Sequence, residues 1–305
     1  MSEKPKVSFL IPCFNGERYI AESLKSACEQ NFHSYEVIVI NDGSKDNSEQ
    51  VIRHMRERFC FRYIKQENKG VCSALNAGLS VARGDYLCWG GHDDIYHRHR
   101  LSYQVEFLDR NPDYGACYSN VEYIDLDGVG FGYGKRKNFK SGYVLKELFY
   151  RNFIPAPASM VRTNIVRELG GFDAKYLFED YPLWLAVAER YPIGFVDSVV
   201  TRYRLHDGNM SGNNERFYVG TQEILEDWSG HPECRKALRY WYRRWFCDAS
   251  KGPHVWLTER YLNKLRLVDF VRPRVIRSYA RYLRQKKLFG NVSVRETAED
   301  LSRRQ

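Results

Sequence analysis

Acidic residues stand at three places where apolar stretches end or begin. Asp42 lies in Asn41-Asp42-Gly43-Ser44, behind Val37-Ile38-Val39-Ile40. Asp93-Asp94 come four residues after Leu87-Cys88-Trp89. Glu179-Asp180 open Glu179-Asp180-Tyr181-Pro182-Leu183-Trp184. A carboxylate at a strand end can accept the ring N–H of a uracil, thymine or guanine. A carboxylate pair suits Mg²⁺ or Mn²⁺, which take one or two carboxylates together with phosphate oxygens. A carboxylate facing a cleft can serve as a general base. His206, in Leu205-His206-Asp207-Gly208, can bind a metal or a phosphate. Each motif also has a plainer reading. Asp42-Gly43-Ser44 forms an Asx turn equally well. Asp93-Asp94 reads as a solvated turn, Glu179-Asp180 as charges favoured by a helix N-terminus, and His206 as a surface histidine.

The elements that must hold these residues follow from periodicity. Val7 to Pro12, Tyr35 to Ile40, Phe61 to Ile64 and Asp85 to Trp89 read as strands. The second is apolar on both faces, as in a parallel sheet. Helices fall between them. One opens at Asn15-Gly16, one spans about Ser48 to Phe59, and one follows Asn68-Lys69-Gly70. This cadence predicts a doubly wound α/β sheet. A helix is expected over His97 to Arg110, one or two strands over Ala116 to Asp125, and a flexible loop over Asp127 to Lys140. A short strand over Ser159 to Val161, a helix from near Asp180 and a last strand over Phe195 to Arg204 complete the region. Beyond Gly212 the pattern is helical, with breaks at Pro253 and Pro273. If the three acidic sites share the carboxyl edge of one sheet, they line one cleft. The backbone of Pro12, Cys13, Phe14 and Asn15 forms the opposite wall of that cleft, although Asn15 also reads as a simple helix cap.

At 305 residues, 43% hydrophobic and 28% charged, the chain is ordinary globular material with room for two domains. The eight cysteines form no CxxC or CxxH pair and read as buried thiols rather than a metal site. No signal peptide and no apolar run of about 20 residues are read, so a cytoplasmic location is expected. The net charge of +9 is concentrated. Glu259 to Lys287 hold ten Lys/Arg against two acids, a net of +8. There Val275-Ile276, Tyr279 and Tyr282-Leu283 recur at helical spacing, flanked by Arg274, Arg277, Arg281 and Arg284. Pro273 stands where a helix can begin. The expected partner of this segment is an anionic membrane surface, with packing onto the rest of the protein as the plainer alternative. It has no recognisable nucleic-acid-binding fold.

Four ordered motifs resemble the family-2 inverting glycosyltransferases. They are Ile11-Pro12-Cys13-Phe14-Asn15-Gly16; Val39-Ile40-Asn41-Asp42-Gly43-Ser44; Asn68-Lys69-Gly70 with Ala74-Leu75-Asn76-Ala77-Gly78; and Gly170-Gly171-Phe172-Asp173 with Glu179-Asp180-Tyr181-Pro182-Leu183-Trp184. The resemblance covers about residues 6 to 211. It implies a GT-A fold, a nucleotide-diphosphate sugar donor (UDP-sugar favoured) and Mg²⁺ or Mn²⁺. It also implies a glycan or lipid-linked acceptor. By the family pattern Asp42 binds the base and Asp180 is the catalytic base. Asp93 is the metal-binding acid of the Asp-x-Asp motif, and His206 lies near the diphosphate as a second ligand. Pro12, Phe14, Asn15, Lys69, Gly70 and Asn76 belong to the donor side; Asp94, Glu179 and Trp184 belong to the acceptor side. The implied organisation is a catalytic domain over 1–211, donor half 1–96 and acceptor half 97–211, and a basic helical region over 212–305.

Gly91 stands where the family commonly has Asp. That departure leaves open a catalytically impaired, glycosyltransferase-like binding protein. A nucleotidyltransferase is the other enzyme alternative, opposed by Cys13-Phe14-Asn15-Gly16-Glu17 where a basic phosphate loop would stand. Trp241-Tyr242-Arg243-Arg244-Trp245 resembles the Gln-x-x-Arg-Trp signature of processive synthases without its glutamine, and reads as an amphipathic helix with an aromatic face. The expected reaction is therefore non-processive.

Overall fold

The computed structural model describes residues 4–134, 139–206, 214–252 and 255–289. The chain divides into two compact units, Met1–Asn213 and Asn214–Gln305.

The first unit is built on a mixed sheet. Strands β1 (Val7–Cys13), β2 (Tyr35–Asp42), β3 (Arg62–Gln66) and β4 (Tyr86–Trp89) run parallel in the order β3-β2-β1-β4. Helices α1 (Ile20–Cys28), α2 (Ser48–Met55) and α3 (Val71–Val81) connect them. β1 and β4 carry almost only buried side chains, because helices cover a parallel sheet on both faces. The strand order reverses between β1 and β4, the place where ligands bind at carboxyl ends.

Beyond β4 the sheet becomes mixed. β8 (Ser159–Arg162) is antiparallel to β4 and to β6 (Ala116–Ile124). β9 (Ile193–Arg204) is parallel to β6, and the two-residue β5 (Ile95–Tyr96) is antiparallel to β9. Helices α4 (Arg100–Arg110), α5 (Leu145–Tyr150), α6 (Thr163–Glu168) and α7 (Asp180–Arg190) complete the unit. The main core gathers Phe9, Ile11, Val39, Leu101 and Met160 from both halves of the sheet.

Several local expectations change. The segment expected as a flexible loop contains β7 (Gly130–Tyr133), which makes an antiparallel hairpin with β6. Its glycines hid the strand alternation. Ala116–Ile124 is a single nine-residue strand. Asn15 does not open a helix: it takes a left-handed φ of 50°, and α1 begins only at Ile20. α4 begins at Arg100, three residues later than expected, because Ile95-Tyr96 pair as a strand first. The break expected at Pro253 lies outside the described residues.

The second unit is helical: α8 (Asn214–Asp227), α9 (Pro232–Ala249), α10 (Val255–Leu262) and α11 (Pro273–Phe289), with a 3-10 turn over Leu267–Val271. Pro273 is the first residue of α11, where its missing N–H costs nothing. Trp241 and Trp245 stack at 5.2 Å, and Trp245 packs on Tyr261 inside the unit. The aromatic face of α9 is therefore core. No helix among the described residues is long and apolar enough to cross a membrane.

Candidate active site

Two loops at the carboxyl edge are cross-laced by side-chain bonds. Asn15 accepts from Lys45 N at 2.9 Å through Oδ1, while its own N–H donates to Ser44 Oγ. Gly16 N donates to Ser48 Oγ, and Glu17 N to Asp46. Asn15 therefore joins the β1–α1 and β2–α2 connections, and Phe14 between them stays 40% exposed. Gly43 permits the β2–α2 turn by its φ of 71°, and a Cβ there would lie 2.6 Å from Asn68 N.

Asp42, only 4% exposed, organises the next loop. Its Oδ1 accepts from Gln66 Nε2 and Lys69 N at 2.7 and 3.0 Å, and its Oδ2 from Gly70 N at 2.9 Å. A carboxylate has about four acceptor positions, so three protein donors leave room for one from a ligand. The carboxylate also sits at the N-terminus of α3, where negative charge is favoured. Lys69 itself is exposed.

Asp93 and His206 meet across 113 residues of sequence, with His206 Nε2 2.8 Å from Asp93 Oδ2. Burial pushes the Asp93 carboxyl up, but the bond from His206 and the positive influence of His92 and His206 outweigh it. The carboxyl stays below its ordinary range. His92 lies over Gly16, where a Cβ would come within 2.3 Å of its ring. Gly91 matters in the same way: a Cβ there would meet Asp93 Oδ1 at 2.2 Å. The missing acid at 91 is thus the space that the Asp93 carboxylate occupies, and restoring an acid there displaces Asp93.

Arg204 braces this corner and is 2% exposed. It donates to Asp93 O, to Asp125 O and Leu126 O in the β6–β7 turn, and to Glu22 Oε2, with its guanidinium 4.5 Å above the Tyr19 ring. Arg100, fully buried, donates from Nη2 to Trp89 O and Ser159 O and so fixes the end of β4. Sequence reasoning missed both arginines, since nothing in a single arginine's surroundings marks it as buried.

The third acidic site lies at the start of α7. Glu179 accepts from Trp89 Nε1 at 3.3 Å, and Asp180 Oδ2 accepts from Asn152 Nδ2 at 3.0 Å. Burial and the neighbouring Asp180 charge push Glu179 up to about 7. Burial also raises Asp180, with the bond from Asn152 working against it. Asn152 Oδ1 is buried without a partner. Asn152 was not expected; it stands in Arg151-Asn152-Phe153, which carries no motif.

Three expected site residues have other duties. Asn76 spends its amide on Phe172, donating to its O at 2.7 Å and accepting from its N at 2.8 Å. It is a brace for the glycine turn before α7. Trp184 is fully buried and stacks on Trp89 at 5.4 Å, so it supports the site from behind rather than facing an acceptor. Asp94 is 1% exposed and accepts from Arg204 N. Burial and the Asp93 charge raise it well above the carboxylate range. These roles were hidden because each depends on a partner from a distant element.

Among the described residues no cluster of three or more His, Cys, Asp or Glu is arranged to hold a metal. Asp93 and His206 are two converging donors, which fits an ion completed by diphosphate oxygens. An imidazole ligand favours Mn²⁺ over Mg²⁺.

The sheet order and the acidic carboxyl edge define a GT-A glycosyltransferase fold. Solved structures share it: Staphylococcus aureus TarS 1-349 in complex with UDP-GlcNAc superimposes with a TM-score of 0.62 at 18% identity, covering 92% of this chain and 81% of that one. The mannosyltransferase PcManGT from Pyrobaculum calidifontis, in complex with GDP-Man and Mn²⁺, gives 0.60 at 16% identity, covering 95% and 89%. Residues 8–170 match glycosyl transferase family 2, and the chain belongs to that family. An uncharacterized glycosyltransferase of Rickettsia felis is 34% identical over 73% of this chain; the chain spans 38% of the length of that relative. The UDP-Glc:alpha-D-GlcNAc-diphosphoundecaprenol beta-1,3-glucosyltransferase WfaP of Escherichia coli is 26% identical, over 72% of this chain and 85% of that protein. The nucleotidyltransferase alternative has no support in these matches.

Proposed function

We propose that the chain is an inverting, non-processive glycosyltransferase. It moves a sugar from a nucleotide-diphosphate sugar, a UDP-sugar by preference, to a hydroxyl of a glycan or lipid-linked acceptor in cell-surface polysaccharide or glycolipid synthesis. The observation that carries this reading is Asp180 at the start of α7, pinned by Asn152 beside a second acid and raised in basicity by burial. The activity of WfaP and the UDP-GlcNAc complex of TarS support the donor class and a lipid-diphosphate acceptor.

Asp42 uses its remaining acceptor position for the base N–H, with Phe14 and the Pro12–Asn15 backbone as the facing wall and Lys69-Gly70 at the loop that Asp42 orders. Asp93 and His206 would hold Mn²⁺ or Mg²⁺, which when bound would offset charge on the departing nucleoside diphosphate. Asp180 takes the proton from the acceptor hydroxyl as its oxygen bonds to the anomeric carbon. The bond from that carbon to the diphosphate oxygen breaks on the opposite face, which inverts the configuration. Asn152 Nδ2 holds the base. Glu179, titrating near 7, limits negative charge beside Asp180.

The test is Asp180→Asn. Transfer falls by about 10²-fold or more, while UDP affinity by calorimetry stays at the wild-type value. A variant with nearly full transfer, or a product that retains the donor configuration by NMR, sinks the assignment. Wild-type protein that binds donor but never turns it over with Mn²⁺ present supports the impaired-enzyme reading that Gly91 raised.

A further inference from the structure

The 3-10 turn Leu267–Val271 inverts the usual pattern of burial. Its one charged residue, Asp269, is 5% exposed, while Leu267, Val268 and Val271 are 92%, 58% and 74% exposed. The inversion is built in. Asp269 Oδ1 accepts from Arg243 Nη1 of α9 at 3.0 Å, and Oδ2 accepts from Arg266 N at 2.9 Å. Phe270 packs edge-on against Tyr279. A buried ion pair thus anchors the turn from inside and holds three aliphatic side chains in water. A single exposed leucine is ordinary, but a rigidly presented apolar cluster marks an interaction site.

α11 follows the turn after one residue. Its inward face is Val275, Ser278 and Tyr282, all buried. The expectation that its whole apolar stripe acts as one face fails, because Ile276 and Leu283 are 51% and 43% exposed. At about 100° per residue, Ile276 and Leu283 form one outward stripe and Arg277 and Arg284 the next, with Ala280 between them. Arg274, Arg277, Arg281 and Arg284 line a groove of about 460 Å³. Arg274 bonds Asp248, but among the described residues no ion pair engages Arg277, Arg281 or Arg284. Guanidinium groups without carboxylate partners are suited to phosphate.

We infer that the Leu267–Val271 turn and the outward face of α11 form a membrane-docking surface. The aliphatic side chains of the turn enter the acyl boundary, and the α11 arginines engage anionic phospholipid headgroups. Charge selects the occupant: exposed aliphatic side chains together with guanidinium groups that have no ion pair among the described residues match an anionic bilayer, whereas two copies of this surface would oppose their arginines. The inference rests on the proposed membrane-borne acceptor for its purpose, and the experiment separates the two.

The full chain is floated with phosphatidylcholine vesicles, with and without phosphatidylglycerol, at rising salt. Wild-type protein floats with the anionic vesicles only, and salt releases it. Leu267→Ser with Val268→Ser, and separately Arg277→Gln with Arg284→Gln, each lower partitioning on the order of tenfold. Leu267→Ser alone, at the most exposed position, serves if a double variant fails to fold, and lowers partitioning in the same direction. Equal flotation with neutral and anionic vesicles, or serine variants that float like wild type, overturns the inference. So does concentration-dependent self-association abolished by the serine substitutions without vesicle binding, which makes the surface a contact between copies. Donor hydrolysis in solution is read in parallel: its persistence without flotation removes this surface alone, and its absence with flotation removes the transferase reading alone.

Discussion

Asp93–Asp94 and Glu179–Asp180 are both successive acids at the edge of an element, and they end in different electrostatic states. In the first pair the residues diverge. Asp93 turns to His206 and is held acidic, while Asp94 turns inward, accepts a backbone N–H and is pushed far up by burial. In the second pair both members are raised by burial, and the bonds from their neutral partners, Trp89 and Asn152, offset it only in part. Two acids in sequence are thus not one chemical unit. A neighbouring imidazole makes an anion suited to a cation, whereas burial without a nearby positive charge makes a base that holds a proton more tightly.

The contrast can be broken most sharply at Asp93. Asp93→Ala removes the anionic member of the first pair, and Mn²⁺-dependent tightening of UDP binding falls on the order of 10²-fold. Calorimetry with and without EDTA measures this; tightening that survives in the variant assigns the ion elsewhere. Gly91→Asp tests the same corner. The space is already taken by Asp93 Oδ1, so the variant weakens the tightening rather than improving it.

A smaller effect separates the pairs through stability. Glu179 is raised from 4.5 to about 7 in the folded protein. Below its unfolded value the carboxyl is neutral in both states, so its contribution is fully present; it is lost as pH rises through 7. Glu179→Gln lacks this loss. Relative to wild type, the variant therefore gains roughly 1–2 kcal/mol between about pH 4 and pH 8, after allowance for solvent screening. Urea unfolding at both pH values checks the sign, and a flat difference refutes the shift.

The smallest effect is expected of the conservative substitution at Asp94. Asp94→Asn keeps the acceptor for Arg204 N and costs less than about 1 kcal/mol, whereas Asp94→Ala orphans that N–H and costs about 1–3 kcal/mol. Thermal unfolding distinguishes the two, and equal costs would mean that the buried hydrogen bond is not what Asp94 supplies.

Legibility followed the range of the interactions. The parallel half of the sheet was readable because β1, β2 and β4 are runs of buried aliphatic residues separated by amphipathic helices, a purely local pattern. β5 and β7 were not: one is two residues long, and the other is half glycine. Asp42, Asp93, Glu179 and Asp180 were visible because they adjoin such elements, and the ordered motifs supplied the family. Their supporting residues were invisible. Arg204, Asn152 and Trp89 gain their roles only from partners tens of residues away.

The sequence by itself determined the α/β succession, the three acidic edges and the basic character of the last helices, since periodicity, turn chemistry and charge are properties of neighbouring residues. Only the tertiary structure decided that Asp93 turns to His206 while Asp94 turns inward, that Asn76 and Trp184 are braces, and that the turn before α11 shows its aliphatic side chains while hiding its aspartate. Burial and hydrogen-bond partners set those outcomes, and both are created by contacts between segments far apart in the chain.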